Sequence, residues 1–385
     1  PYPLFEANPY SGNTLSYSSI SLSLVTFATM LAAAMETLLA SPLIIGTCGI
    51  VICGIVTASL SRTCGITSNL LTASRIASYV ACKILISSIR SALTAFAAPG
   101  DAVLLHSPTY IGFTGSIGNN GFKMVHSPLK KDENGIWRMD FEDMDAKIKA
   151  NNIHVAVFCS PHNPCGRVWE KCEIEKAMEV YKANDCVVIS DEIWSDLILE
   201  GYKHVPTQSV SEDARNRTIA VYAPSKTFNL AGLVGSYHII YNKYLRDRVV
   251  AKSSKPHYNE MNVLSMHALI GAYKPEGYEW VDELRQVLTG NVDFACNYIK
   301  EHFEGVEVSR PQGTYMLFLD CMKWCEEHGK SIDEVQKAGW DVGVAWQDGR
   351  MFLHPCSIRM NLALPLSRVK EAFERLDKYV FNRIK

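Results

Sequence analysis

The sequence predicts an α/β protein, a large unit on a mainly parallel, doubly wound sheet followed by a smaller α+β unit at the C-terminal end. Three observations predict it. From residue 95 onward short apolar runs alternate with stretches of helical periodicity; polar motifs punctuated by Gly and Pro close several of those runs; and beyond Pro275 the pattern changes to one long helix and an isolated strand. Strand–helix–strand order implies parallel strands joined by right-handed crossovers. Open sheets of that kind bind ligands at the carboxyl ends of their strands.

The first expected strand is Ala102–His106, closed by Ser107-Pro108, and the second is Ile153–Cys159, closed by Ser160-Pro161. Lys171–Ala183 then reads as a helix, because Ile174, Ala177, Met178 and Tyr181 recur at helical spacing. Cys186–Ser190, Thr218–Tyr222 and Ser236–Tyr241 complete the strand set. A helix over Tyr278–Phe303 leads into the strand Thr314–Leu319, and Val369, Ala372, Phe373, Leu376 and Val380 mark a terminal amphipathic helix. There are no repeats and no low-complexity linker. The expected units are an N-terminal segment (1–40) packing with the small unit, a large cofactor-binding domain (41–275) and a small C-terminal domain (276–385), with substrate in the cleft between the last two.

A chain of 385 residues with 48% hydrophobic content can bury a large core. A net charge of -2 and a pI near 6.7 give no basic surface for nucleic acid. The twelve cysteines contain no C-x-x-C pair, the nearest arrangements being Cys48/Cys53 and Cys321/Cys325, so they read as reduced, mostly buried thiols of a cytoplasmic protein with no metal site.

The first 95 residues differ in composition. They hold six charged residues, against 72 in the remaining 290, and no Asp, His, Gln or Trp. Thr37 to Leu60 is uncharged and long enough to span a bilayer, but it contains a Pro and several Gly and has no basic flank at its start. No basic region marks a secretory signal. A span, a divergent segment of the same fold, and letters that do not report the natural residues are the three readings of this stretch. No membrane association is expected.

Function-bearing residues collect where the apolar runs end. Ser160-Pro161-His162-Asn163-Pro164-Cys165-Gly166-Arg167 supplies an amide, Ser190-Asp191-Glu192-Ile193-Trp194 a carboxylate, and Ala223-Pro224-Ser225-Lys226-Thr227 an amine. These are the groups a pyridoxal 5'-phosphate site requires. The amine attaches the cofactor covalently, the carboxylate keeps its pyridine nitrogen protonated, and the amide donates to its phenolic oxygen. Each residue also has an ordinary reading: Asp191 as a helix cap, Asn163 as a turn residue, Ser225 as a cap. Arg359, flanked by apolar residues in Ser357-Ile358-Arg359-Met360, reads as a buried guanidinium that clamps a substrate carboxylate bidentately or closes an internal ion pair. Cys165 reads as a tolerated small side chain.

The order Asn-Pro-x-Gly-Arg, then Asp-Glu-Ile with its Asp 28 residues after Asn163, then Ser-Lys with Lys226 35 residues further on, resembles the fold-type I pyridoxal phosphate enzymes of the class I/II aminotransferase superfamily. SPHNPCGRVW, SDEIWSDLIL, APSKTFNLAGL, GTYMLFLD and SIRMNLALP are most similar to its carbon–sulfur β-lyase branch, the cystathionine β-lyases and cystalysin-like enzymes. The resemblance runs from about Ala95 to the C-terminus. It implies the aspartate aminotransferase-like fold and a homodimer acting on a small-molecule amino acid substrate. It makes Lys226 the catalytic lysine, and Tyr110, Asn163, Asp191 and Ser225 cofactor-binding residues, Tyr110 stacking on the pyridine and Ser225 reaching the phosphate. It makes Arg359 the clamp for the α-carboxylate. The implied reaction is α,β-elimination from cystathionine or a related cysteine thioether, with transamination as the alternative and a binding or regulatory protein with a vestigial site as the remote one.

Three positions depart from the pattern. Trp194 stands where aminotransferases often have tyrosine and lyases of this branch histidine; Val234 stands where an arginine is often found; and no glycine lies near Lys83 to Ser87, where a phosphate-binding turn is expected.

Overall fold

The fold is taken from a computed structural model that describes residues 87–233, 235–255 and 262–382. The candidate span at 37–60, most of the turn expected at 83–87, and Val234 lie outside the described residues.

The strands of the main sheet run from β1 (Ala102–Ser107) and β2 (Lys123–Pro128), past a hairpin of β3 (Lys130–Lys131) and β4 (Trp137–Arg138), to β5 (Val155–Cys159), β6 (Val187–Asp191), β7 (Thr218–Tyr222) and β8 (Tyr237–Ile239). Their order is β2-β1-β5-β6-β7-β8, parallel except for β8, which pairs antiparallel with β7 at the edge. Every residue of β5 is buried, as a central parallel strand covered on both faces requires. The predicted α/β class is therefore correct. Strand ends move by one or two residues, which puts Asp191 on the last rung of β6.

The helix Lys171–Ala183 has the predicted ends and buries the predicted face, Ile174, Ala177, Met178 and Tyr181. A capping box starts it: the Glu170 backbone N–H donates to Glu173 Oε2 at 2.9 Å. The buried Glu173 carboxylate also pairs with the guanidinium of Arg167, which fixes the end of the Asn163 turn to this helix.

Beyond the helix Pro275–His302 a second sheet forms from β9 (Glu307–Val308), β10 (Met316–Asp320), β11 (Gln347–Asp348) and β12 (Ser357–Asn361), antiparallel and ordered β11-β12-β10-β9. The segment entering β10 is sewn to the large sheet. The Gly166 carbonyl accepts from the N–H groups of Gln312 (2.8 Å) and Gly313 (3.0 Å), and Thr314 N–H donates to the Leu197 carbonyl at 2.7 Å. Gly166 has φ +65°, and a Cβ there would lie 2.4 Å from Pro311 Cβ, so the position needs glycine twice over. Among the described residues no helix is long and apolar enough to cross a membrane.

Candidate active site

Asp191 ends β6, and the short helix Pro224–Thr227, which carries Lys226, follows β7, the next strand of the sheet. Adjacent parallel strands deliver both side chains to one sheet edge. Asp191 is 2% exposed, and its Oδ1 accepts from the Ile193 N–H at 3.1 Å. Burial pushes its carboxyl up to about 7; the Ile193 N–H opposes that rise, the neighbouring Glu192 carboxylate adds to it, and the Lys226 charge draws it back. The hydrogen bond is the Asx-turn contact a capping reading requires, and the charge interaction with Lys226 is what a cofactor site requires; Asp191 makes both.

Lys226 is half-buried, with Nζ 5.6 Å from the centre of the Trp194 ring. Trp194 is itself buried and stands edge-on to Tyr315, ring centres 4.7 Å apart. The family's variable position thus becomes part of an aromatic wall beside the lysine, and Tyr315, at the entrance to β10, belongs to that wall without any signal in its spacing. Ser225 sits half-buried in the turn before Lys226. Thr227 Oγ1 donates to Asp196 Oδ2 at 2.9 Å, tying the other side of that turn to the loop after β6.

Asn163 and Arg359 come together from opposite sheets. Arg359 Nη1 donates to Asn163 Oδ1 at 2.9 Å, and both residues are buried. The contact turns Asn163 Oδ1 toward the arginine and leaves Nδ2 as the donor of that amide. Arg359 Nε donates to Gln347 Oε1 at 2.9 Å, its Nη2 reaches the same oxygen, and its guanidinium lies 4.3 Å from the centre of the Phe352 ring. Gln347 pairs directly across from Arg359 in the sheet. Two amide oxygens and a ring are among the groups that hold the arginine. Gln347 carries no motif, and only the β11–β12 register identifies it.

Tyr110 precedes the helix Ile111–Gly118, half-buried, its ring edge-on to Phe113 at 5.4 Å. Gly112 makes room for that ring, since a Cβ there would meet Tyr110 Cε1 at 2.4 Å. His162 links this loop to the Asn163 turn through a 2.7 Å contact between Nε2 and the Pro108 carbonyl; burial lowers its pKa to about 4, so the neutral ring donates there. Cys165 is buried and burial pushes its thiol well up, which leaves it inert at neutral pH. Among the described residues no three His, Cys, Asp or Glu side chains gather as metal ligands.

The arrangement can bind the carboxylate of an amino acid, hold a proton on a heterocyclic nitrogen and move a proton through a lysine. The family model for aminotransferase class I and II matches residues 75–376. The cystathionine beta-lyase PatB of Bacillus subtilis (strain 168) is 30% identical over 300 residues, 76% of this chain and 74% of PatB. The protein MalY of Escherichia coli (strain K12) is 29% identical over 277 residues, 71% of this chain and 68% of MalY. Among solved structures, cystalysin from Treponema denticola, which contains pyridoxal 5'-phosphate, superposes with a TM-score of 0.72 at 30% identity, covering 76% of this chain and 74% of cystalysin.

Proposed function

Since the chain belongs to the aminotransferase class I and II family, we propose that it is a pyridoxal phosphate-dependent carbon–sulfur β-lyase, eliminating a thiol from cystathionine or a related cysteine thioether to leave pyruvate and ammonia. The observation that carries this reading is the pair Asp191–Lys226 at one sheet edge, faced by Asn163 and Arg359. Its similarity to PatB and cystalysin selects the lyase branch.

The residues present fit the cofactor. Asp191 is a buried carboxylate of raised proton affinity, suited to sharing a proton with a pyridine nitrogen. Asn163 offers Nδ2 to a phenolic oxygen, Tyr110 offers a ring face, and Ser225 a hydroxyl. Bound there, pyridoxal phosphate supplies an electron sink for the charge that develops at the amino acid's α-carbon. Arg359 binds the α-carboxylate and orients the α-hydrogen. Lys226 Nζ takes that proton as general base, and the β-thiolate departs. The Trp194–Tyr315 wall beside Lys226 keeps water from the amine, so the proton stays available to the reacting atoms. Transamination uses the same lysine for a different proton destination and is the alternative within this family.

With cystathionine as sole substrate, the protein is expected to release pyruvate, ammonia and thiol in equal amounts over many turnovers. Stalling after one turnover, relieved only by a keto acid, would replace the lyase reading with the aminotransferase one. A homodimer, in a cytoplasmic setting, completes the proposal. Support for the first comes from the helix Val263–Ala272, an almost wholly apolar segment with Val263, Leu264 and Ile270 exposed, and support for the second from eight reduced cysteines among the described residues.

A further inference from the structure

Immediately after Asp191 the chain carries a second carboxylate that the reaction does not use. Glu192 is completely buried, and both of its oxygens are occupied. Oε1 accepts from Ser190 Oγ (2.9 Å) and the Thr207 N–H (3.0 Å); Oε2 accepts from Tyr222 OH (2.7 Å) and lies 2.9 Å from His204 Nε2. Its backbone N–H donates to the Val221 carbonyl at 2.9 Å. Ser190 and Thr207 are joined as well, Oγ to Oγ1 at 2.9 Å. Tyr222 is the last residue of β7, four positions before Lys226. The cluster therefore joins the strand that ends in Asp191, the strand that leads to Lys226, and the 204–207 loop.

A buried carboxylate is retained at a cost unless its lone pairs are met. Here burial would raise the proton affinity of Glu192, but the hydrogen bonds from His204, Tyr222 and Thr207 outweigh it and hold the group below the usual carboxylate range. Two carboxylates adjacent in sequence are thus driven apart. Glu192 stays charged, while Asp191, facing Cys159 from β5, Glu192 from the loop that follows β6 and Lys226 from the helix after β7, has its proton affinity raised. Environments that separate two such groups assign them different roles.

We propose that Glu192 is a positioning residue for the elimination: with its four partners it locks the end of β6 to the end of β7, setting Asp191 against Lys226, and it places a fixed negative charge behind Asp191. The inference rests on the cofactor reading above, because Asp191 must meet a protonated ring nitrogen for that charge to matter. Tyr222, His204 and Thr207 act through Glu192 and have no contact with reacting atoms assigned to them.

The test uses the full chain freed of cofactor and titrated from pH 5 to 9 with pyridoxine 5'-phosphate, which has the ring nitrogen and phosphate but no aldehyde to condense with Lys226. Affinity should rise with pH as Asp191 ionises. In Glu192→Gln, whose amide can still be met by the tyrosine and histidine, the midpoint of that rise is expected about one pH unit lower, the effect of removing one nearby like charge. An unmoved midpoint overturns the proposal. Asp191→Asn serves as the control for the underlying reading: the ligand's phosphate ionises near pH 6 in every variant, so the part of the rise that Asp191→Asn loses is the part Asp191 carries, and a profile unchanged in that variant sinks the Asp191 assignment itself, whatever Glu192 does. If Glu192→Gln does not fold, Tyr222→Phe decides. It keeps the charge and cuts the tie to β7, so kcat should fall severalfold with KM held, and an unchanged kcat overturns the proposal.

Discussion

Asp191 is worth following through a change of pH, because its carboxyl is raised by burial from an ordinary value of 3.8 to about 7. A carboxyl raised in the folded state lends its full stability below the unfolded value and loses it as pH climbs through the folded one. Cofactor-free protein is therefore expected to lose stability between about pH 4 and 7 on account of this residue alone. Asp191→Asn keeps the Ile193 contact and removes the charge. At pH 8 it should raise the unfolding free energy by of order 3–4 kcal/mol and at pH 4 by almost nothing; equal effects at both pH values would contradict the assignment. Arg359 answers to a different measurement. Arg359→Ala should raise KM for the amino acid by about 2–3 kcal/mol equivalent. Arg359→Lys should fail to restore it, since a single ammonium cannot reach Asn163 and Gln347 in one plane. Lys226, Asp191 and Asn163 stand out in the sequence because each sits in a motif at or just after a strand end, and Arg359 because it is a lone charge in the apolar strand β12. The partners of Arg359, Gln347 and Phe352, do not, because what selects them is cross-strand register and packing, neither of which leaves a local pattern.

Strands and helices were legible where burial is two-sided or strictly periodic. β5 and β7 are continuous apolar runs, and the helix Lys171–Ala183 repeats its apolar face without a fault. β2 was missed for a physical reason: it is the sheet's edge, Lys123 and Met124 are exposed, and only Ser127 is fully covered, so its sequence KMVHSP carries no strand period. The turn after β5 shows the reverse case, a sequence element whose demand is fully explained only by the fold. Gly166 combines a left-handed backbone with contacts from Pro311 and Gly313. Gly166→Ala should cost about 3 kcal/mol, backbone strain and overpacking together, in chemical denaturation. A loss under about 1 kcal/mol would mean that the segment entering β10 yields easily.

At the scale of the molecule, the proposed dimer makes a direct demand. Light scattering should return about twice the chain mass of 42.9 kDa, and Leu264→Glu, on the exposed face of the helix Val263–Ala272, should shift it toward the single-chain value; a variant that scatters as the unaltered protein does removes that helix from the interface. The hydrogen bond between Arg359 and Asn163 has a consequence of another kind. It closes a loop of 196 residues, whereas Asn163, Asp191 and Lys226 lie within one stretch of successive parallel strands. Closing the longer loop costs more chain entropy and depends on β10 and β12 having already paired. During synthesis Asp191 and Lys226 can be in place while the arginine that orients Asn163 and recognises the amino acid is still unmade, so a nascent chain gains part of its chemistry before it gains its selectivity.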